Sequence, residues 1–167
     1  DVRSLRGQYP GVPVVTYVNT YADVKAESDI CCTSGNAVEV VNSLESDAII
    51  FLPDEYLGGN VAHETGRRFL LPGAPLPAHG EKVLIGWRGR CEVHEKFTVQ
   101  DITTVRTQFP DVAILAHPEC SPEVTGASDF SGSTGAMIRY VRQTTAPQYL
   151  LLTECSMGDN IAAENPD

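Results

Sequence analysis

The chain has 167 residues, a formal net charge of −10 at pH 7 and 42% hydrophobic residues. A chain of this size can bury a core, as one domain or as two small ones, and no apolar run reaches the roughly 18 to 20 residues of a membrane span, so we expect a soluble protein. The negative charge argues against nucleic-acid binding, which requires clustered Lys and Arg, because the 12 basic residues are scattered. An anionic ligand would therefore be held by local donors such as helix N-termini and hydroxyls.

The start of the chain and its cysteines bear on the cellular compartment. Residues 1–20 lack the basic start, apolar stretch and small-residue cleavage site of a secretory signal, although Asp1 as first residue indicates a missing or processed N-terminus. The five cysteines are an odd number at irregular spacing, which fits a reducing cytoplasm better than a disulfide framework. No CxxC pair occurs, so a metal centre would need cysteines from distant loops or from residues outside the chain.

The first part of the chain alternates predicted strands and helices. "VPVVTYV" from Val12 predicts a strand, "NTYADVKAESD" contains a short helix, and the strand that begins at Ile30 holds Cys31 and Cys32, which we interpret as small core residues. Ser34 precedes apolar residues at helical spacing, so we expect a helix to open there with a hydroxyl at its N-terminus. "AIIFLP" then predicts a third strand.

The middle of the chain continues this alternation. A helix is predicted in "PDEYLGGNVAHETG", ending at Gly66, and is followed by a loop across residues 72–77. "KVLIGW" then predicts a strand, and the next helix should start at Thr98.

Cys91 lies on the loop before that helix. Arg88 and Arg90 could stabilise its thiolate for metal binding, although a structural role for a lone cysteine stays open. His94 could be a second ligand, but a histidine on a helix surface is the commoner case.

The last part of the chain repeats the first. Shifted by 100 residues, the sequence aligns with itself without a gap from Tyr9 on Phe109 to Val41 on Val141, and Asp29, interpreted as a turn residue, recurs as Asp129. In the second copy "VAILAH" and "YLLLTE" predict strands, "SPEVTGA" a short helix begun by Ser121 and Pro122, and "GAMIRYVRQT" another helix.

This alternation predicts an α/β fold of repeated small three-layer α/β units with parallel sheets. Residues 1–97, with the Cys91 loop, would form one domain. Residues 98–167 would form an incomplete second copy, which suggests a fragment.

Polar side chains occur at the same place in both copies, at the carboxyl ends of strands, where ligands of parallel sheets bind. They are Tyr17, Asn19 and Ser34 in the first copy, and His117, Glu119, Ser133 and Thr134 in the second. His117 and Glu119 have the chemistry of a general acid and base, because imidazole titrates near neutrality and burial raises the pKa of a carboxyl. Such loops also carry polar residues in other α/β proteins, so simple helix capping stays an alternative.

Six segments, in this order, resemble the quinolinate synthase family. They are "YVNTYADVKAESDICCTSGNAVEVV", "IIFLPDEYLGGNVAHETG", "GRCEVHEKFTVQDI", "FPDVAILAHPECSPEV", "SDFSGSTGAMIRYV" and "LLTECSMGDNIAAENPD". The resemblance covers essentially the whole chain. It implies three homologous α/β domains around a pseudo-threefold axis, of which this chain would hold the middle one and part of the third.

The resemblance implies a cytoplasmic enzyme of de novo NAD biosynthesis that condenses iminoaspartate with dihydroxyacetone phosphate to quinolinate, with functional coupling to L-aspartate oxidase. It also implies a [4Fe-4S] cluster, held by one cysteine from each domain, whose open iron acts as a Lewis acid. By motif, Cys91 would be the middle-domain ligand, His117 and Glu119 the acid–base pair with Tyr17 as a further catalytic residue, and Tyr17, Asn19, Ser34, His117, Glu119, Ser133 and Thr134 the substrate-binding set.

Two other hypotheses remain from the residues alone. One is a cluster-free module that binds a small dicarboxylate or phosphate at helix N-termini, and the other is a purely structural remnant. Because the other cluster cysteines would lie outside this chain, we expect the chain by itself to be inactive.

Overall fold

The computed structural model describes residues 2–78 and 80–165, which form two compact units, Asp1–Arg90 (unit 1) and Cys91–Asp167 (unit 2). The boundary expected after residue 97 therefore changes to Arg90. Residues 91–97 belong with unit 2 because Phe97 packs against its core and His94 bonds to Thr153. Among the described residues, no helix is long and apolar enough to cross a membrane.

Unit 1 is built on a five-stranded sheet. Its strands are all parallel, in the order β2-β1-β3-β5-β4. The elements are α1 Val2–Gln8, β1 Val14–Tyr17, α2 Ala22–Ala26, β2 Ile30–Cys32, α3 Ala37–Ser43, β3 Ala48–Leu52, α4 Glu55–Glu64, β4 Arg68–Leu70 and β5 Val83–Ile85.

Unit 2 has a three-stranded parallel sheet in the order β7-β6-β8. A 3₁₀ helix at His94–Lys96 precedes its first α-helix. The remaining elements are α5 Val99–Gln108, β6 Ala113–Ala116, α6 Pro122–Ala127, β7 Phe130–Ser131, α7 Thr134–Gln143, β8 Tyr149–Leu152 and α8 Cys155–Glu164.

Helices cover both faces of each sheet. In unit 1, Val15 packs with Val41 of α3 and Leu57 of α4, whereas its neighbour Val14 packs with Leu5 of α1. Successive side chains of a strand point to opposite faces, so one strand serves two cores. Unit 2 follows the same rule, with Leu115 in one core and Ile114 in the other. The predicted three-layer α/β units with parallel sheets are confirmed.

Several predicted helix ends are confirmed by their caps. The hydroxyl of Thr98 accepts from Asp101 N–H at 3.2 Å, and the Asp101 side chain accepts in return from Thr98 N–H at 2.9 Å, so α5 starts with a capping box. Ser121 caps α6 at 3.3 Å, with Pro122 in the first turn. Gly66 follows α4 with φ +64°, a backbone angle that favours glycine.

Ser34 does not open a helix. It lies in a turn, and α3 begins at Ala37 after the N-cap residue Asn36. The Asn36 side chain accepts from the N–H and the hydroxyl of Thr33 at 2.7 and 3.0 Å. These bonds hold residues 33–36 in a turn, so the helix expected from Ser34 starts three residues later.

Cys31 and Cys32 are not both core residues. Cys32 is buried, but Cys31 is exposed. Neighbouring side chains of a strand face opposite sides of the sheet, so Cys32 joins the core around Val15 and Val41, whereas Cys31 faces the other side of β2, an edge strand.

Asp29 and Asp129 do more than form a turn. Asp29 accepts from Val14 N–H at 2.7 Å and pairs with Arg6 at 2.9 Å. In unit 2, Asp129 accepts from Ile114 N–H at 2.8 Å and pairs with Arg106 at 2.9 Å. Each aspartate thus fixes the start of one strand against the next. Through its arginine it also holds the first helix of its unit, α1 or α5. We call these four residues the clamps.

The repeat is longer than the segment found by sequence alone. At the same offset of 100, Arg6 matches Arg106 in the clamps. At the other end, identical pairs link α4 to α8: Gly58 and Gly158, Asn60 and Asn160, Ala62 and Ala162, and Glu64 and Glu164. The elements from α1 to α4 therefore have counterparts from α5 to α8.

Unit 1 continues beyond α4 with β4 and β5, which extend its sheet past β3. The Phe69 ring of β4 fits between two glycines: a Cβ on Gly58 would lie 3.0 Å from the ring and one on Gly86 would lie 2.2 Å away. Neither α1 nor β4 was predicted from the sequence. In the described part of unit 2, β8, the counterpart of β3, is an edge strand.

Candidate active site

The turn after β6 places two polar side chains inside unit 2. Cys120 N–H donates to the His117 carbonyl at 2.9 Å and closes the turn. His117 and Glu119 are only 3% and 9% exposed. Both lie at the carboxyl end of a parallel strand, where the sequence predicted a ligand site.

His94 completes a buried cluster with these two residues. It lies on the 3₁₀ helix, and its ring stacks on that of His117 with 4.5 Å between centroids and 19° between planes. Glu119 Oε2 lies 3.2 Å from His117 Nδ1 and 3.4 Å from His94 Nδ1. One carboxylate oxygen therefore faces two imidazole nitrogens.

Polar contacts hold the two rings of the cluster in place. His117 Nδ1 lies 3.3 Å from Glu119 N–H as well as 3.2 Å from the carboxylate of the same residue, so both the backbone and the side chain of Glu119 hold this ring. His94 Nε2 lies 3.1 Å from Thr153 Oγ1, and His94 Nδ1 is buried without a hydrogen-bond partner among the described residues. An unsatisfied buried nitrogen that faces a carboxylate is a place for a proton, a substrate or a cation.

Burial lowers the pKa of His94, and the adjacent His117 acts in the same direction. Glu119 and Glu154 oppose this shift. The His94 ring therefore favours its neutral form near pH 7, in which one nitrogen keeps a free lone pair.

Cys91 lies beside this cluster. Its side chain is half-buried, and the ligand atoms of Cys91, His94 and Glu119 all lie within 4.8 Å of one another. The expectation of a surface position for His94 was wrong, because it is 5% exposed. Arg90, expected to stabilise the thiolate, bonds to Glu55 at 3.4 Å and covers the Tyr56 ring at 4.8 Å.

The predicted residues of unit 1 follow the same plan. Thr20 N–H donates to the Tyr17 carbonyl at 3.0 Å, in the turn that corresponds to the one after β6. Tyr17 is buried, whereas Asn19 is exposed and lines a cavity of about 420 Å³ with Trp87. Cys32 at the end of β2 pairs with Tyr17 at the end of β1, and Ser34 lies two residues beyond Cys32. Tyr17 and Ser34 are therefore both at the carboxyl ends of the strands.

Ser133 and Thr134 lie at the start of α7 in unit 2. The Ser133 hydroxyl accepts from Ala136 N–H at 3.4 Å, so it caps the helix, and Thr134 is exposed in the first turn. They follow β7, whose Ser131 pairs with Ala116, next to His117. The two hydroxyls therefore share the sheet edge that carries the buried cluster.

Thr153 was not identified from the sequence, and His94 was expected at the surface rather than in a buried cluster. Thr153 directly follows β8 and is 7% exposed. A polar residue after a third parallel strand was a usable signal, because β6 and β8 end at the same sheet edge.

Comparisons with known proteins agree with the resemblance seen in the sequence. A sequence model of the family described as "Quinolinate synthetase A protein" matches residues 1–167. Over the full chain, identity is 53% to quinolinate synthase 2 of Mesorhizobium japonicum, 55% to quinolinate synthase of Agrobacterium fabrum and 52% to that of Xylella fastidiosa. The chain covers 47%, 44% and 45% of these relatives, so it spans less than half their length.

Proposed function

We propose, because this chain belongs to the quinolinate synthetase A protein family, that it is part of an enzyme that condenses iminoaspartate with dihydroxyacetone phosphate to form quinolinate. The reaction closes a pyridine ring with loss of phosphate and water, as a step of NAD biosynthesis in the cytoplasm. Iminoaspartate would come from L-aspartate oxidase. A third α/β unit would complete a pseudo-threefold arrangement in the longer protein.

The observation that carries this proposal is the buried cluster of His117, Glu119 and His94 beside Cys91. Ring closure requires proton transfers at carbon, nitrogen and oxygen, and a buried carboxylate that faces two stacked imidazoles is suited to them. Exclusion of water by the surrounding core would strengthen each of these interactions.

Cys91 fits the role of a cluster ligand. Its thiol is only half-buried and stands beside two other metal-ligand residues, whereas Cys120 is buried, with its sulfur 3.4 Å from the Leu152 carbonyl. Cys91 would hold one iron of a [4Fe-4S] cluster, together with cysteines from outside this chain. When bound, the cluster supplies a Lewis acid for substrate oxygen or nitrogen atoms.

Glu119 is the proposed base. Its carboxylate would remove a proton from the carbon of iminoaspartate that forms the new bond. His117 would donate a proton to a substrate oxygen as water leaves. Tyr17 is proposed as a further catalytic residue, whose hydroxyl would serve proton transfer and orientation.

The remaining predicted residues would bind the anionic parts of the substrates. The side chain of Asn19 and the hydroxyls of Ser34, Ser133 and Thr134 are uncharged donors. Ser133 and Thr134 lie at the N-terminus of α7, where unpaired N–H groups favour an anion. This fits a chain with a net charge of −10, which cannot attract anions by its overall field.

The test uses a protein of the relatives' full length that contains this chain, with its cluster reconstituted without oxygen. Glu119→Gln keeps the shape of the side chain but removes the base, so quinolinate formation should fall by about 100-fold or more. Iron content should stay unchanged. Glu123→Gln is the matched control, because Glu123 is exposed in the first turn of α6.

Unchanged turnover in Glu119→Gln would remove this residue from the mechanism. A wild-type protein that contains its cluster but forms no quinolinate from the two substrates would contradict the proposed reaction itself.

A further inference from the structure

We propose that Cys120 is a positioning residue for Glu119, the base of the proposed function on which this inference rests. The buried thiol of Cys120 donates to the Leu152 carbonyl at 3.4 Å, which ties the turn after β6 to the end of β8. Glu119 directly precedes Cys120 in the chain. The tie therefore holds its carboxylate against the two histidine rings.

The carbonyl of Leu152 is a shared acceptor for this turn. It accepts from His117 N–H at 3.2 Å, where the turn begins, and from the Cys120 thiol at 3.4 Å, where the turn ends. Cys120 N–H also donates to the His117 carbonyl at 2.9 Å and closes the turn on itself. Glu119 therefore lies in a short segment that is fixed on both sides to one oxygen atom of β8.

The next residue of the chain holds the third member of the cluster. Thr153 follows Leu152 directly, and its hydroxyl lies 3.1 Å from His94 Nε2. Two successive residues at the end of β8 thus set the positions of His117, Glu119 and His94. The distances of 3.2 and 3.4 Å from Glu119 Oε2 to the two ring nitrogens depend on both ties.

The corresponding turn of unit 1 is tied differently. At the offset of 100 residues, Thr20 takes the place of Cys120. Its hydroxyl accepts from the Thr16 hydroxyl at 3.3 Å, within the segment that carries the turn itself, and Asn19 before it is exposed. The unit whose turn is bonded across to the neighbouring strand is the one that buries its acid, which supports a role of the Cys120 thiol in that burial.

Placement, rather than bond strength, is the contribution of this thiol, because S–H is a weak donor. A base acts only within hydrogen-bond reach of the proton that it removes, and a misplacement of about 1 Å can lower a rate by about 100-fold. Cys120 is fully buried in one core with Ile102 and Leu152. Loss of its sulfur would leave a space into which the turn can shift.

The thiol bond is tested in the 167-residue chain, without cluster and substrate. The infrared S–H stretching band of Cys120 is isolated by subtracting the spectrum of Cys120→Ser from that of the unaltered chain. A thiol that donates absorbs at a lower frequency, so we expect this band below that of an alkyl thiol in an apolar solvent. A band at the frequency of the alkyl thiol would overturn the proposal, and this result is independent of quinolinate formation.

The positioning role is tested by kinetics of a protein of the relatives' full length, with its cluster reconstituted without oxygen. Cys120→Ala should lower kcat per bound cluster by about 10-fold and change KM by less than about 2-fold, because the base is displaced while the substrate-binding groups stay in place. Cys120→Ser should recover most of the lost kcat, since a hydroxyl also donates to a carbonyl.

Ile102→Val is the matched control. Ile102 of α5 lies in the same core, and this change also removes one heavy atom from it, but it leaves the turn intact. Its kcat should equal that of the unaltered protein. Circular dichroism checks that each variant is folded, and Cys120→Val, which fills the space without a donor, decides the outcome if Cys120→Ala fails to fold.

Three results would overturn the positioning role in a protein that does form quinolinate. They are an unchanged kcat without the thiol, an equal loss of kcat in Ile102→Val, and no recovery in Cys120→Ser. An unaltered protein that contains its cluster but forms no quinolinate would contradict the proposed function, and the positioning role would fail with it, whatever the infrared band shows.

Discussion

In unit 1 the turn after β1 is closed by a bond from Thr20 N–H to the Tyr17 carbonyl, and in unit 2 the turn after β6 is closed by the corresponding bond from Cys120 to His117. The backbone is thus the same, but the chemistry is not. Asn19 is exposed, whereas its counterpart Glu119 is buried against His94. Two copies of one scaffold can therefore present a neutral donor in one case and an ionisable cluster in the other.

The units differ again at the edge of the sheet. Unit 1 covers β3 with β5 and β4, and Phe69 fills the space beside Gly58. In the described part of unit 2, β8 is an edge strand and nothing lies within 4 Å of a Cβ built on Gly158. Equivalent residues should therefore contribute unequally to stability at this edge and equally at the clamps.

The largest difference in stability between equivalent substitutions is expected in the third strand of each copy, β3 and β8. Phe51 is fully buried, so Phe51→Ala should lower the free energy of unfolding by about 3–5 kcal/mol. Its counterpart Leu151 is half-buried, so Leu151→Ala should cost only about 1–2 kcal/mol.

Urea unfolding followed by two signals measures this difference. The fluorescence of Trp87, the single tryptophan, reports on unit 1, whereas far-ultraviolet circular dichroism reports on both units. Equal losses for the two variants would mean that the edge of unit 2 is as well covered as that of unit 1.

The clamps should behave alike in the two units. Burial opposes ionisation of Asp29 and Asp129, but the Val14 or Ile114 N–H and the paired arginine outweigh it and lower the pKa of both carboxyls. Asp29→Asn and Asp129→Asn should each cost about 0.5–1 kcal/mol at pH 7, a modest effect because these pairs are partly exposed.

The pH dependence of the clamps has a definite sign. A lowered pKa in the folded state gives stability that is present above the ordinary aspartate pKa of about 4 and is lost as the pH falls through the folded value. The gap between each variant and the unaltered chain should therefore close in acid. A gap that persists unchanged at pH 2 would show that the carboxylate charge is not its cause.

The smallest effect is expected at a pair of helix glycines. Gly158→Ala should stabilise unit 2 by about 0.5–1 kcal/mol, because alanine favours a helix and the added methyl meets open space. Gly58→Ala should gain less or lose stability, because its methyl would press on the Phe69 ring at 3.0 Å. Melting temperatures compare the two variants, and an equal gain in both would mean that Phe69 moves aside freely.

The repeated elements could largely be predicted from sequence because their signals are local. Apolar β-branched runs marked β1 and β6, and Thr98 and Ser121 marked helix starts by their own hydroxyls. α1 was missed because its buried apolar side chains are only Val2 and Leu5. β4 was missed because its three residues precede a proline-rich loop and pair only with the later strand β5.

The candidate site was predictable only in part. His117 and Glu119 were found because they follow a strand, which is visible in the sequence. His94 is buried against residues distant in sequence, such as Thr153, 59 residues away, and no local pattern carries that contact. The later start of α3 was hidden in the same way, because the bonds of Asn36 to Thr33 compete with helix formation at Ser34.

The most direct test of the central claim is the iron content of a protein of the relatives' full length, reconstituted without oxygen, in which Cys91 is replaced by Ala. We predict loss of the cluster and of its thiolate-to-iron absorption, while Cys155→Ala, at an exposed cysteine of the same unit, keeps both. Full iron content and unchanged absorption in Cys91→Ala would contradict the assignment of this chain to the metal centre of a quinolinate synthase.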